Sequence, residues 1–146
     1  PGIEKRFAVA ADGALEMSYA LSSRRARLGT LSVEMNVAIH VAEAEDRWIE
    51  VEGARATPAA PGARARHERV TRSGFVDGWA GRRLEIATDR PATLERAPIE
   101  TVSLSEAGAE RVFQGVEATY SFPVRVEPGV PWKLVFRMRG RAEETA

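Results

Sequence analysis

The side chains able to do acid–base chemistry in this chain of 146 residues are its carboxylates and two histidines, His40 and His67, since there is no cysteine. Glycoside hydrolysis needs only two carboxyl groups held roughly 5 to 9.5 Å apart across a sugar. Glu34, Glu100, Glu106 and Glu110 are candidates, because small or apolar residues surround them. The competing reading gives each of them backbone amides or an arginine as partner, the ordinary fate of a half-buried acid. Nucleophilic hydrolysis has little support, for there is no Gly-x-Ser-x-Gly and the histidines stand far apart in sequence. His40, beside Asn36, reads as a hydrogen-bonded or exposed side chain rather than a ligand. No His-Glu-x-x-His, Gly-rich phosphate loop or dinucleotide fingerprint occurs, so no metal and no cofactor is expected. Arg64, Arg66, Arg69 and Arg72 with His67 are able to hold phosphates, but Glu68 among them favours a solvated edge strand.

Three tryptophans raise a second kind of chemistry, the packing of a pyranose face on an indole. Trp132 shares a face with Leu134 and Phe136 and reads as core; Trp48 falls in between. Trp79, within Asp77-Gly78-Trp79-Ala80-Gly81, is the candidate exposed platform, with burial in the core as the alternative. The densest segment is 98–115, where Glu, Ser, Arg and Gln are interleaved with apolar residues. There Glu100 shares a strand face with Val102 and Leu104 and is expected to be partly buried, with Arg111 or backbone amides as its partner.

Composition narrows the class. Lys plus Arg equals Asp plus Glu, 21 each, so net charge offers no hint of nucleic acid or an anionic membrane. Hydrophobic content of 44% with 29% charged residues suits one globular domain with a sizeable core. No apolar run is long enough to span a bilayer, no signal-peptide core follows the first residues, and nothing argues for secretion. The expectation is a soluble, cytoplasmic protein. The chain opens on Pro1 and moves at once into strand-like sequence, which reads like a piece of something longer.

The elements that must position these residues are strands. Ile3, Lys5, Phe7 and Val9 alternate before Asp12-Gly13, and Leu15, Met17, Tyr19 and Leu21 alternate after it, which predicts a hairpin. Residues 29–41 predict one long strand with Glu34, Asn36 and His40 on its polar face. Residues 53–63 read as a loop and 64–72 as an edge strand. Pro91 and Pro98 bracket a short segment. Val116, Ala118, Tyr120, Phe122, Val124 and Val126 share a face, as do Trp132, Leu134, Phe136 and Met138. Nine or ten strands are expected in all and no convincing helix, although 105–114 has room for a helical turn. This pattern predicts an all-β fold, an antiparallel two-sheet β-sandwich over residues 1–140, with 141–146 as a frayed or truncated tail.

The block Pro98-Ile99-Glu100-Thr101-Val102-Ser103-x-Ser105-Glu106-x-Gly108-x-Glu110-Arg111-Val112-Phe113-Gln114-Gly115, preceded by Val33-Glu34-Met35-Asn36, resembles the C-terminal β-sandwich domain of glycoside hydrolase family 57 enzymes. These are the α-amylase and 4-α-glucanotransferase type. Glu4-Lys5-Arg6-Phe7 and the hairpin ending in Tyr19 look like that domain's start. The resemblance implies a galactose-mutarotase-like supersandwich that supports a catalytic barrel, its partner, with α-glucan contact as an added role. It also implies that the catalytic carboxylates lie on that barrel, so no glutamate here inherits their role. Where the family pattern has an aromatic after Gly108, this chain has Ala109. On this reading Glu34, Asn36, His40, Trp79, Glu106 and Gln114 are the candidate carbohydrate or domain contacts, and Glu100 and Arg111 are structural. Two other readings stay open: a stand-alone mutarotase- or lyase-like sugar enzyme using Glu and His, and a structural protein-interaction domain.

Overall fold

A computed structural model describes residues 1–105 and 108–142 of the chain. Among the described residues every named element is a strand: β1 Gly2–Val9, β2 Leu15–Ser22, β3 Arg27–Val37, β4 Arg47–Val51, β5 Ala54–Arg55, β6 Ala65–Asp77, β7 Arg82–Ser105, β8 Gly108–Val126 and β9 Trp132–Ala142. All pairings between them are antiparallel.

Two layers arise because β7 changes partner along its length. Its first part pairs with β9, from Arg82↔Ala142 to Thr88↔Phe136, and its later part pairs with β8 from Thr93↔Ser121 onward. One layer is therefore β1-β2-β9-β7-β6-β4-β5, and the other is β3-β8 with the later half of β7 and the first half of β6. At the switch, residues 88–91 lack a β6 partner, and side chains replace the ladder. Asp89 Oδ1 accepts from Val135 N at 2.9 Å and Arg90 Nε donates to Lys133 O at 2.6 Å, so β9 keeps its backbone groups satisfied as β7 leaves. Pro91 lies within this departure, and Pro98 lies past the end of β6; the segment expected to be short is thus part of one continuous strand.

The core lies between the layers, built from the faces that alternation predicts. Phe136 of β9 meets Tyr120 and Phe122 of β8 edge-on, with ring centroids 5.5 and 5.6 Å apart. Met17, Tyr19, Val116, Leu134 and Trp132 complete it. Tyr120 and Ser73 share a buried 2.6 Å hydrogen bond that ties β8 to β6, and burial pushes the Tyr120 phenol well up. Arg96 also points into this interior, 3% exposed, with Nη2 donating to Pro58 O at 2.6 Å.

Several expectations change. β3 ends at Val37, so His40 leaves the strand's polar face and sits in a bend beside buried Ile39. The room for a helical turn in 105–114 is taken by strand from Gly108 onward, because β7 and β8 continue as a two-stranded ribbon beyond the last pairing with β3, Val37↔Val116. The face carrying Val102 and Leu104 is solvent rather than core, at 60% and 87% exposure, since no third strand or second layer among the described residues reaches it. Arg141 and Ala142 belong to β9, opposite Arg83 and Arg82, and 143–146 lie outside the described residues. The 64–72 edge is as expected from Ala65 onward, since β4 covers only Ser73 to Asp77 of β6.

Candidate functional site

Where the end of β3 faces the β6–β7 connection and the end of β9, the two layers part to leave an open cleft of about 770 Å³. Trp79, His40, Asp77 and Arg82 line it, backed by Val37, Phe75 and Leu84. The cleft thus brings together two residues singled out by the sequence, one from each layer. His40 is exposed there, and Trp79 is 75% exposed.

The loop carrying Trp79 is built on an ion pair beneath it. Arg47 Nε donates to Asp77 Oδ1 at 3.1 Å and Nη1 donates to Asp46 Oδ1 at 3.2 Å. Asp77 Oδ1 also accepts from Ala80 N at 3.0 Å, so one carboxylate holds both the arginine and the turn. The Arg47 side chain keeps only 10% of its surface and Asp77 14%, which strengthens their attraction relative to a solvated pair. Arg47 then lies against the indole, its guanidinium carbon 5.6 Å from the ring centroid. Gly78 N donates to Asp46 O at 2.7 Å, and a Cβ on Gly78 would stand 2.7 Å from that same oxygen, so only glycine permits the approach. The result is a fixed aromatic ring on a polar base. Arg47 and Asp46 were not found by sequence reading; the available signal was an arginine directly after two acids, Glu45 and Asp46, at the start of an apolar run.

The other singled-out residues lie elsewhere. Asn36 Nδ2 donates to Glu34 Oε1 at 3.3 Å on the outer face of β3. That face continues through Ser32 and Ser121, whose hydroxyls are 2.9 Å apart, to Thr93 and Glu68, 2.6 Å apart. The Thr93 hydroxyl, then Arg66, hold the Glu68 carboxyl below its ordinary value. Gln114 Nε2 donates to Thr101 Oγ1 at 3.2 Å, and Arg111 Nη1 donates to Glu100 Oε2 at 3.2 Å, both on the projecting ribbon. The Arg111 side chain is 72% exposed and Glu100 30%, so the pair joins two strands in solvent rather than at a core boundary. Glu106 lies outside the described residues. Trp48 stacks under Arg55 at 4.0 Å and donates to Glu50 Oε1 at 2.9 Å, on the outside of the first layer. His67 lies against Arg96, its Nε2 3.5 Å from Nη2, and burial together with that guanidinium keeps the imidazole low and neutral. The two histidines do not share the cleft.

The carboxylates of the outer arginine-rich face are likewise engaged. Asp12 accepts from Arg137 at 2.7 Å and from Arg139 at 3.1 Å, while Arg83 reaches Glu50 at 2.8 Å and Arg141 reaches Glu85 at 3.0 Å. The hydrogen bond from Arg137, with that from the Ala14 amide, holds Asp12 below its ordinary value. Among the described residues no group of acids and histidines is arranged to hold a metal ion.

The family model described as alpha-amylase/4-alpha-glucanotransferase, C-terminal, matches residues 1–136. The chain belongs to this family. A 4-alpha-glucanotransferase of Thermococcus kodakarensis is 30% identical over 139 residues, which is 95% of this chain and 17% of that protein. Alpha-amylase 1 of Dictyoglomus thermophilum is 46% identical over 67 residues, 42% of this chain and 10% of that protein. The crystal structure of a 4-alpha-glucanotransferase from Thermococcus litoralis superimposes with a TM-score of 0.66 over 94% of this chain and 18% of that one, at 23% identity, so the two share the fold. The chain spans a tenth to a sixth of the length of these curated relatives. As a member of a C-terminal family with an antiparallel all-strand fold, it is a β-sandwich domain of the amylase/glucanotransferase group.

Proposed function

We propose that the chain is a non-catalytic accessory domain of a larger, soluble, cytoplasmic α-glucan-processing polypeptide, and that it braces a catalytic barrel. The observation that carries this is β1. Ile3, Phe7 and Val9 lie opposite Leu21, Met17 and Leu15 in register, so they face the same way as the core, yet they are 67%, 61% and 75% exposed. The second layer stops short of them. A row of large apolar side chains on the inner side of a sheet edge is a surface made to be covered. The relatives supply the cover, since each is several times longer than the region it shares with this chain. The polar residues Glu34, Asn36, His40, Trp79 and Gln114, with Glu106, are the contacts to the barrel or its glucan. The reading as a stand-alone sugar enzyme lacks a supporting constellation, because the described acids near the histidines are held by arginines and hydroxyls.

The test is to remove residues 1–142 from the polypeptide that carries them. The expected result is a truncated enzyme that melts earlier and aggregates, while the isolated chain leaves maltooligosaccharides unchanged. Turnover of a maltooligosaccharide by the isolated chain, or a truncated enzyme as stable as the whole, would overturn the proposal.

A further inference from the structure

We infer that the Trp79 cleft is an α-1,4-glucan-binding site in its own right, with the indole as the stacking platform for one glucose ring; the choice of glucan rests on the function proposed above. The argument begins with how the ring is presented. An indole left 75% exposed forfeits the gain of burial, and here the turn that carries it is held by the Arg47–Asp77 pair, the Ala80 amide and the Gly78 approach to Asp46, with the Arg47 guanidinium 5.6 Å from the ring centroid. A rigid, exposed aromatic on a desolvated ion pair is prepaid for binding, because little conformational entropy remains to be lost when a ligand lands on it.

The surroundings decide the ligand's chemistry. A protein-docking anchor leads a bare apolar surface, whereas the cleft's apolar side chains Val37, Phe75 and Leu84 are buried or half-buried behind Trp79, and its rim carries His40 and Arg82. A nucleic acid needs a broad field of positive charge, and here Arg47 is neutralised by Asp77 and Asp46 while Arg83 and Arg141 are paired with Glu50 and Glu85, in a chain of zero net charge. What fits is a neutral ligand with one apolar face and a rim of hydroxyls, which is a pyranose. The side chains of Arg82 and His40, on the cleft wall, have no hydrogen bond or ion pair among the described residues and supply donors and acceptors for that rim. The cleft carries one exposed aromatic ring rather than a line of them. A flat β-1,4-linked ribbon rewards a row of coplanar rings, which one indole does not supply; the α-1,4 linkage comes from the function proposed above.

The experiment titrates the isolated chain with maltoheptaose and follows the indole N–H signals by NMR. The Trp79 signal is identified as the one lost in Trp79→Phe. The expected result is a saturable shift of the Trp79 signal at millimolar sugar, with those of Trp48 and Trp132 unmoved. Trp79→Ala is expected to weaken binding at least about tenfold, the loss of one ring stack, at an unchanged melting temperature. Cellohexaose is expected to bind more weakly than maltoheptaose. Absence of saturation, equal binding by Trp79→Ala, or a preference for cellohexaose would each overturn the inference. None of these outcomes bears on the bracing role, which the truncation decides separately.

Discussion

The Trp79 loop and the β1 edge both present large apolar side chains to water, and they do so in opposite ways. Trp79 is a single ring pinned by a buried ion pair, two turn hydrogen bonds and a close glycine contact. Ile3, Phe7 and Val9 form a row with no such support beyond the ladder to β2, and Lys5 Nζ merely lies 4.8 Å from the Phe7 ring. The β7–β8 ribbon resembles β1 in this respect, with Leu104 87% exposed beside the solvated Glu100–Arg111 pair. A pinned single ring suits a small ligand, whose few contacts must not spend energy on ordering the site. A loose apolar row suits a broad protein surface, where many small contacts add and the partner supplies the order.

The largest expected effect breaks the pinned region. Asp77→Ala leaves Arg47, which is 9% exposed, without its main partner and should cost about 3 kcal/mol, the penalty of an uncompensated buried charge. Asp46 keeps the loss at that level rather than higher. Urea unfolding measures it, and a loss below about 1 kcal/mol would show that the pair does not hold the loop.

A second bracket gives a middle-sized effect and a pH signature. Glu52 and Gly53, with φ of 52° and 82°, form the tight turn between β4 and β5, and the Glu52 carboxylate reaches across to the amides of Thr71 and Arg72 beside the irregular stretch of β6 where Arg69 has φ 59°. Burial alone would raise this carboxyl, but the two amides and the Thr71 hydroxyl outweigh it and hold the group below its ordinary 4.5. Its contribution is therefore complete above that pH and is lost as the pH falls through the lower folded-state value. Glu52→Gln should cost about 0.5 to 1 kcal/mol at neutral pH and should flatten the loss of stability on acidification below pH 4.5. A variant whose acid limb is as steep as before would remove Glu52 from the bracket.

The smallest effects belong to the bare regions, and they sharpen the contrast. Phe7→Ser with Ile3→Ser should change the isolated chain's stability by no more than about 0.5 kcal/mol, because the side chains bury little there. In the longer polypeptide the same pair should lower the melting temperature. Glu100→Ala should likewise cost the isolated chain about 0.5 kcal/mol or less, as a solvated pair does. A large loss in the isolated chain from either change would mean that these surfaces are already packed.

Much of the architecture was legible in the order of residues. Alternation marked the β1–β2 hairpin, the buried face of β8 and the β9 face of Trp132, Leu134 and Phe136, since side chains in a strand point to opposite sides at every step. The same alternation misled at Val102 and Leu104, though not at Glu100, whose side chain is 30% exposed and meets Arg111: alternation reports that one face is apolar and cannot report whether anything covers that face. His40 failed for a related reason, because the periodic pattern runs on past Val37 although β3 stops pairing there. Arg96 was invisible too, as nothing in its neighbours announces a guanidinium turned inward against Pro58.

Local chemistry, then, settled the all-strand class, the turns and the resemblance to a glucan-enzyme domain, because each depends on residues close together in the chain, while it left Trp79 open between surface and core. The tertiary structure decided which of those features meet. Arg47 and Asp77 are 30 residues apart in sequence and meet only when β4 pairs with β6. His40 and Trp79 meet only where the two layers part. Trp79, which the sequence left between an exposed platform and the core, stands open to solvent on a loop held from beneath by the Arg47–Asp77 pair, which long-range pairing brings together.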